Sequence, residues 1–116
     1  MTHDDQIEQD IQAAGKTAPR VTPEHIEACI SGYTSLIFGQ ACDAVGVPCP
    51  EGARTLTIVA IVLKNGFTVT GESACASPEN FDPEIGFKIA YAKAKEKIWA
   101  LEGYLLRERL SAPAPV

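Results

Sequence analysis

At 116 residues, with 46% hydrophobic and 22% charged side chains, the chain has room for one small domain, and its composition excludes wholesale disorder. Ten Lys+Arg against fifteen Asp+Glu give a net charge of −5, which argues against non-specific binding to long nucleic acid. No apolar run approaches the roughly 18 residues a membrane helix needs, and the charged start Met1–Asp10 lacks the apolar stretch of a signal peptide, so a soluble intracellular protein is expected, with no membrane partner.

Residues 1–19 are polar, with only Ile7 and Ile11 marking one helical face, and are expected to form a flexible arm. Thr22-Pro23-Glu24 has the chemistry of a helix start: a hydroxyl cap, a proline that lacks the N–H the first turn cannot use, and an acid at the positive end of the dipole. The helix predicted from there carries Ile26, Ile30, Leu36, Ile37 and Phe38 and ends near Gly39–Asp43, before a Pro/Gly-rich loop over 42–53. Residues 55–63 (TLTIVAIVL) are β-branched and almost wholly apolar, and residues 67–72 (FTVTGE) alternate. Both read as strands. Asn65-Gly66 between them predicts a type I′ hairpin turn, which needs φ > 0 at two successive residues. A lone hairpin is marginal in water, so helices or a second subunit must cover it.

Asp82-Pro83-Glu84 repeats the helix-start pattern and opens a long helix over about 83–109. Phe87, Tyr91, Ala94, Ile98, Leu101 and Leu105 recur at spacings of 4, 3, 4, 3 and 4, an apolar seam suited to a sheet or a partner helix. Ile85, Ile89, Ala92 and Trp99 line roughly the opposite side. One hairpin cannot bury both faces, so either the first helix or a second protomer must cover one, and a second protomer is favoured for part of it. Residues 111–116 (SAPAPV) are expected to be disordered. The whole describes an α+β fold: a single domain over 20–110 with an antiparallel hairpin core, an N-terminal helix and a long C-terminal helix, assembled as an oligomer.

The catalytic inventory is sparse. Of the two histidines, His3 lies in the arm and His25 opens a helix with no carboxylate placed to orient it. No Walker loop, dinucleotide-binding glycine pattern or H-E-x-x-H is present. Gly71-Glu72-Ser73-Ala74-Cys75 misses the last glycine of a nucleophile elbow. Cys29, Cys42, Cys49 and Cys75 contain no C-x-x-C pair and read as reduced structural thiols. His25 and Cys29 are four apart on a helix, but no second close pair completes a metal site. No enzyme activity, cofactor or metal is predicted.

Basic residues are more suggestive. Lys88, Lys93, Lys95 and Lys97, then Arg107 and Arg109, lie on the long helix. A small multiply charged anion needs only a few such cations. The loop Glu72–Asp82 adds Ser73, Ser77 and Asn80 as polar groups able to read base or ribose edges. Phe81 can stack on a base or staple the helix start, and the helix N-terminus beyond it offers free N–H groups to phosphate. The loop and the basic flank together are the predicted ligand site.

The block from Asn65 to Arg109 resembles a family of small proteins of tailed phages and prophages. The residues that carry this are Asn65-Gly66-Phe67, Gly71, Ser73-Ala74-Cys75, Glu79-Asn80-Phe81-Asp82, Gly86, Ala90, Trp99 and Leu101-Glu102-Gly103-Tyr104-Leu105. The opening Pro19–Ala28 is also similar to that family. The hairpin–loop–helix pattern further resembles the first type of Thoeris anti-defence sponges, oligomeric phage proteins that sequester cyclic immune signals, notably glycocyclic ADP-ribose, without cleaving them. Some also hold cyclic oligonucleotides. The resemblance implies a dimer or hexamer in the host bacterial cytoplasm and makes Asn80 a ligand contact. It places Lys97 near an expected pocket arginine, a change that loses bidentate phosphate recognition. Arg20 and Arg54 are further candidate cations. The competing expectation is a protein–protein module that docks Ile85, Ile89, Ala92 and Trp99 on a host factor.

Overall fold

The computed structural model describes residues 3–16 and 18–112. In chain order it comprises helix α1 (His3–Ala13), helix α2 (Pro23–Cys29), strand β1 (Ile30–Ile37), helix α3 (Phe38–Val45), strands β2 (Thr57–Leu63) and β3 (Thr68–Ser73), and helix α4 (Pro83–Ser111). Short 3-10 turns occupy Glu51–Ala53 and Pro78–Asn80. The expected α+β class holds, built on an antiparallel sheet of order β1-β2-β3. The stretch expected to be a flexible arm carries α1 over most of its length. Of the tail expected to be disordered, residues 113–116 lie outside the described residues, while Ser111 still belongs to α4.

The first helix is where the sequence reading fails. It starts as predicted, with the Thr22 hydroxyl accepting the His25 N–H at 3.1 Å and Pro23 in the first turn, but it stops at Cys29. Residues 30–37 then pair with β2, Tyr33 opposite Ile61 and Ile37 opposite Thr57. Ile30, Tyr33, Thr34 and Ile37 favour a pleated surface, and β2 has an open edge whose backbone groups need partners. Pairing therefore outweighs the helical spacing of Ile26 and Ile30. Helix resumes as α3 and ends at Gly46, whose φ of +76° closes it in the left-handed region.

The hairpin is present, but its turn is not type I′. Of Asn65 and Gly66, only Gly66 has positive φ (+89°). The Gly66 N–H reaches the Leu63 carbonyl at 2.9 Å, the Leu63 N–H reaches the Phe67 carbonyl at 2.8 Å, and the Asn65 side chain accepts from the Phe67 N–H at 3.0 Å. This is a three-residue loop in which a left-handed glycine forms a bulge after an ordinary turn.

The core lies between one sheet face and α4. Thr57, Val59, Ile61 and Leu63 of β2 and Val69, Gly71 and Ser73 of β3 point toward it, and α4 answers with Gly86, Ala90, Ala94 and Ile98. Ile26 of α2 closes one side. The buried side of α4 is thus a run of small residues four apart ending in Ile98; Ala94 and Ile98 belong to the predicted seam, while Gly86 and Ala90 take the fully buried places expected for Phe87 and Tyr91. Phe87 and Tyr91 flank it and stack around Tyr33, with ring centroids 5.2–5.6 Å apart. The small residues let helix and sheet approach closely: a Cβ on Gly71 would lie 2.1 Å from the Ala90 carbonyl oxygen. Of the opposite side, Ile85, Ile89 and Ala92 are exposed, whereas Trp99 is half-buried and donates its indole N–H to Asp4 of α1 at 3.2 Å.

The other sheet face carries Thr34, Leu36, Val62, Thr68, Thr70 and Glu72, all exposed. Beyond Ile98 the buried side of α4 runs on as Leu101 and Leu105, each 39% exposed. The protein measures 59 × 34 × 20 Å with a radius of gyration of 18.1 Å, well above the roughly 13 Å of a compact domain this long.

Candidate ligand-binding site

The loop before α4 keeps most of its polar groups occupied. Asn80 is exposed at the end of the 3-10 turn, its N–H on the Ser77 carbonyl at 3.0 Å. The Ser77 hydroxyl donates to Glu79 at 2.5 Å, a bond that holds the Glu79 carboxyl below the usual carboxylate range. Ser73 is 9% exposed and on the face of β3 that meets α4, so it looks into the protein rather than into the loop. Phe81 is half-buried with its ring edge near Gly86, the position of a side chain that fixes the entry of the helix. The N–H groups expected to be free for phosphate are not: Asp82 accepts from the Glu84 and Ile85 N–H groups at 2.9 and 3.3 Å. Its carboxylate answers the positive end of the dipole, and Glu79 and Glu84 beside it add charge of the sign that repels an anion.

The candidate cations divide by what they touch. Arg20 pairs with Glu8 of α1 at 2.6 Å, Arg54 with Asp43 at 2.5 Å, Lys88 with Glu84 at 3.4 Å, and Lys95 with Glu27 of α2. Arg107 and Arg109 are exposed on the part of α4 that has left the sheet. Arg109 lies close enough to Glu102 to favour its ionised form. Lys97 has no ion-pair partner among the described residues. It borders a groove of about 480 Å³ between β3 and α4, together with Phe67, Thr68, Thr70, Leu101 and Tyr104.

The structure therefore gathers Ser77, Asn80 and Phe81 but does not bring them to Lys97. From the start of α4 to Lys97 is about 20 Å at 1.5 Å per residue, and Arg107 stands about 15 Å further on. Arg20 is bound to α1. Within one protomer the predicted residues form separate patches, and the groove at Lys97 is the one that combines a free cation with aromatic and hydroxyl groups.

A second cluster was not read from the sequence. The expectation that His25 has no carboxylate to orient it is corrected by Glu102, whose Oε1 lies 2.6 Å from His25 Nε2. Cys29 Sγ is 3.6 Å from the same nitrogen and 3.4 Å from the same oxygen. The His25 contact lowers the Glu102 carboxyl, and burial, with Glu102 beside it, raises the Cys29 thiol. The i,i+4 pair was visible in the sequence. Its third member, 73 residues beyond Cys29, depends on how α2 docks on α4.

The model of a family described as "Phage protein (N4 Gp49/phage Sf6 gene 66) family" matches residues 21–110, from the residue before the α2 cap almost to the end of α4. The chain belongs to this phage protein family. The match takes in the whole sheet, α4 and both clusters just described, and leaves out α1. No curated protein and no solved structure matches the chain. Among the described residues of this phage protein, no helix is long and apolar enough to cross a membrane.

Proposed function

We propose that this phage protein is a non-catalytic, self-associating binding protein. It captures a small cyclic nucleotide-type signal in the host cytoplasm and so blocks bacterial anti-phage defence. Glycocyclic ADP-ribose is the first candidate ligand and cyclic di- and trinucleotides the next. The observation that carries this reading is the groove that Lys97 lines together with Phe67, Tyr104, Thr68 and Thr70, Lys97 having no ion-pair partner among the described residues. Aromatic walls suit a base, the ammonium suits a phosphate, and the volume falls within the range of small-molecule pockets. The groove is open to solvent. A second copy would close it and bring its own polar groups, Asn80 or Arg107 among them, to Lys97. The family resemblance over Asn65–Arg109 supports the same reading.

The exposed Ile85 and Ile89 (56% and 43%) favour one alternative, a module that docks on a host protein through that face. A thermal-shift series decides between them. With free ligand at a hundred times Kd, capture stabilises the fold by about 2.7 kcal/mol, and the ligand is recovered intact after denaturation. Lys97→Ala and Asn80→Ala each diminish that shift without lowering the unliganded midpoint. No shift with any cyclic nucleotide would overturn the proposal and leave the docking face as the site to pursue.

A further inference from the structure

The cluster at the α2–α4 junction has a second use that owes nothing to the groove. We propose that His25, Cys29 and Glu102 form a zinc site that clamps α2 to α4 and leaves one coordination position for an exchangeable ligand. Three different donor atoms, Nε2, Sγ and Oε1, converge within 4.8 Å of one another. An imidazole, a thiolate and a carboxylate are a donor set that selects a borderline-soft ion over Mg²⁺ or Ca²⁺, which take oxygen ligands.

The spacing is close to what zinc requires. With metal bonds of about 2.0–2.3 Å, the edges of a tetrahedral site are roughly 3.4–3.6 Å. The Cys29–His25 and Cys29–Glu102 separations of 3.6 and 3.4 Å already have that length. Only the 2.6 Å His25–Glu102 edge must open, by about 0.8 Å, as a hydrogen bond is exchanged for two metal bonds. His25 can supply that movement, because its side chain is 48% exposed while that of Glu102 is 17% exposed. Its exposure also gives the ion a way in. Neutral imidazole, thiolate and carboxylate together cancel the two charges of the ion, and the Cys29 proton leaves to solvent.

The same three residues could suggest a nucleophile relay, but the geometry is wrong for it. In a relay the carboxylate holds one ring nitrogen and the thiol meets the other. Here Sγ and Oε1 meet the same nitrogen, Nε2. Convergence on one point is what a metal site needs. The two donors of α2 come from one helical turn, and the third comes from α4, so binding ties together elements that are remote in sequence.

The test uses the full chain, stripped with chelator and titrated with Co²⁺ and then Zn²⁺. The expected result is a thiolate-to-cobalt charge-transfer band with tetrahedral visible bands, both displaced by one Zn²⁺ per chain. Cys29→Ser abolishes the charge-transfer band, and Cys49→Ser retains it. His25→Gln, at an exposed position that leaves the core alone, weakens Zn²⁺ by at least about tenfold, since even residues that only orient ligands cost that much. Absence of the charge-transfer band in the wild-type protein, its persistence in Cys29→Ser, or unchanged Zn²⁺ affinity in His25→Gln would each overturn the proposal.

Discussion

Gly71 and Gly103 make opposite demands on a methyl group. A Cβ at Gly71 would lie 2.1 Å from the Ala90 carbonyl oxygen and 2.5 Å from the Ala94 nitrogen, both backbone atoms that cannot swing aside. Gly71→Ala is therefore expected to lower stability by about 3 kcal/mol or more, the upper range for overpacking. Gly103 lies within α4 with nothing within 4 Å of its Cβ position, and Gly103→Ala should raise stability by about 0.8–1 kcal/mol through helix propensity. Urea midpoints of the two variants check both. Thr57 adds a third case. It is 1% exposed, and its hydroxyl has no hydrogen-bond partner among the described residues. Replacing an unsatisfied buried hydroxyl by a group of the same shape removes a desolvation cost of about 1–3 kcal/mol. Thr57→Val should hold or raise the unfolding midpoint, and a clear loss would mean that the hydroxyl is bonded.

At the scale of elements, α4 decides the fold, and the face it buries can be tested directly. Ile98 is fully buried and Ile89 is 43% exposed. Ile98→Ala should cost about 2–5 kcal/mol, and Ile89→Ala should stay within about 0.5 kcal/mol. Denaturant titration of the pair checks that the Ile98 side of α4, and not the Ile89 side, faces the sheet. The elements most legible in the sequence were those with strong local chemistry: the capped starts at Thr22 and Asp82, the hairpin, and the length of α4. What was lost depended on distant partners. Residues 30–37 could be read as helix because Ile26 and Ile30 share a helical face, and only pairing with β2 reveals a strand. The apolar seam expected on α4 holds at Ala94 and Ile98, but the close approach of the sheet selects Gly86 and Ala90 in place of the larger Phe87 and Tyr91. The same limit applied to the site. Lys97, Asn80 and Phe81 were named from their chemistry, but their separation along α4 and the meeting of His25 with Glu102 are tertiary facts.

At the scale of the whole molecule, the chain has a long axis of 59 Å. Leu101, Tyr104, Leu105 and Leu110 are exposed on its distal half, and exposed apolar stripes of this kind mark association surfaces. Self-association is part of the proposed function, since it would close the groove at Lys97. Leu101→Glu together with Leu105→Glu should turn an oligomer into a 12.4 kDa monomer and abolish ligand capture, as read by sedimentation velocity and binding on the same samples. The most direct test of the central claim is native mass spectrometry of the full chain with glycocyclic ADP-ribose isomers and cyclic di- and trinucleotides. The account predicts an oligomer that carries intact ligand, released unaltered on activation. A monomer that retains none of these ligands would contradict it.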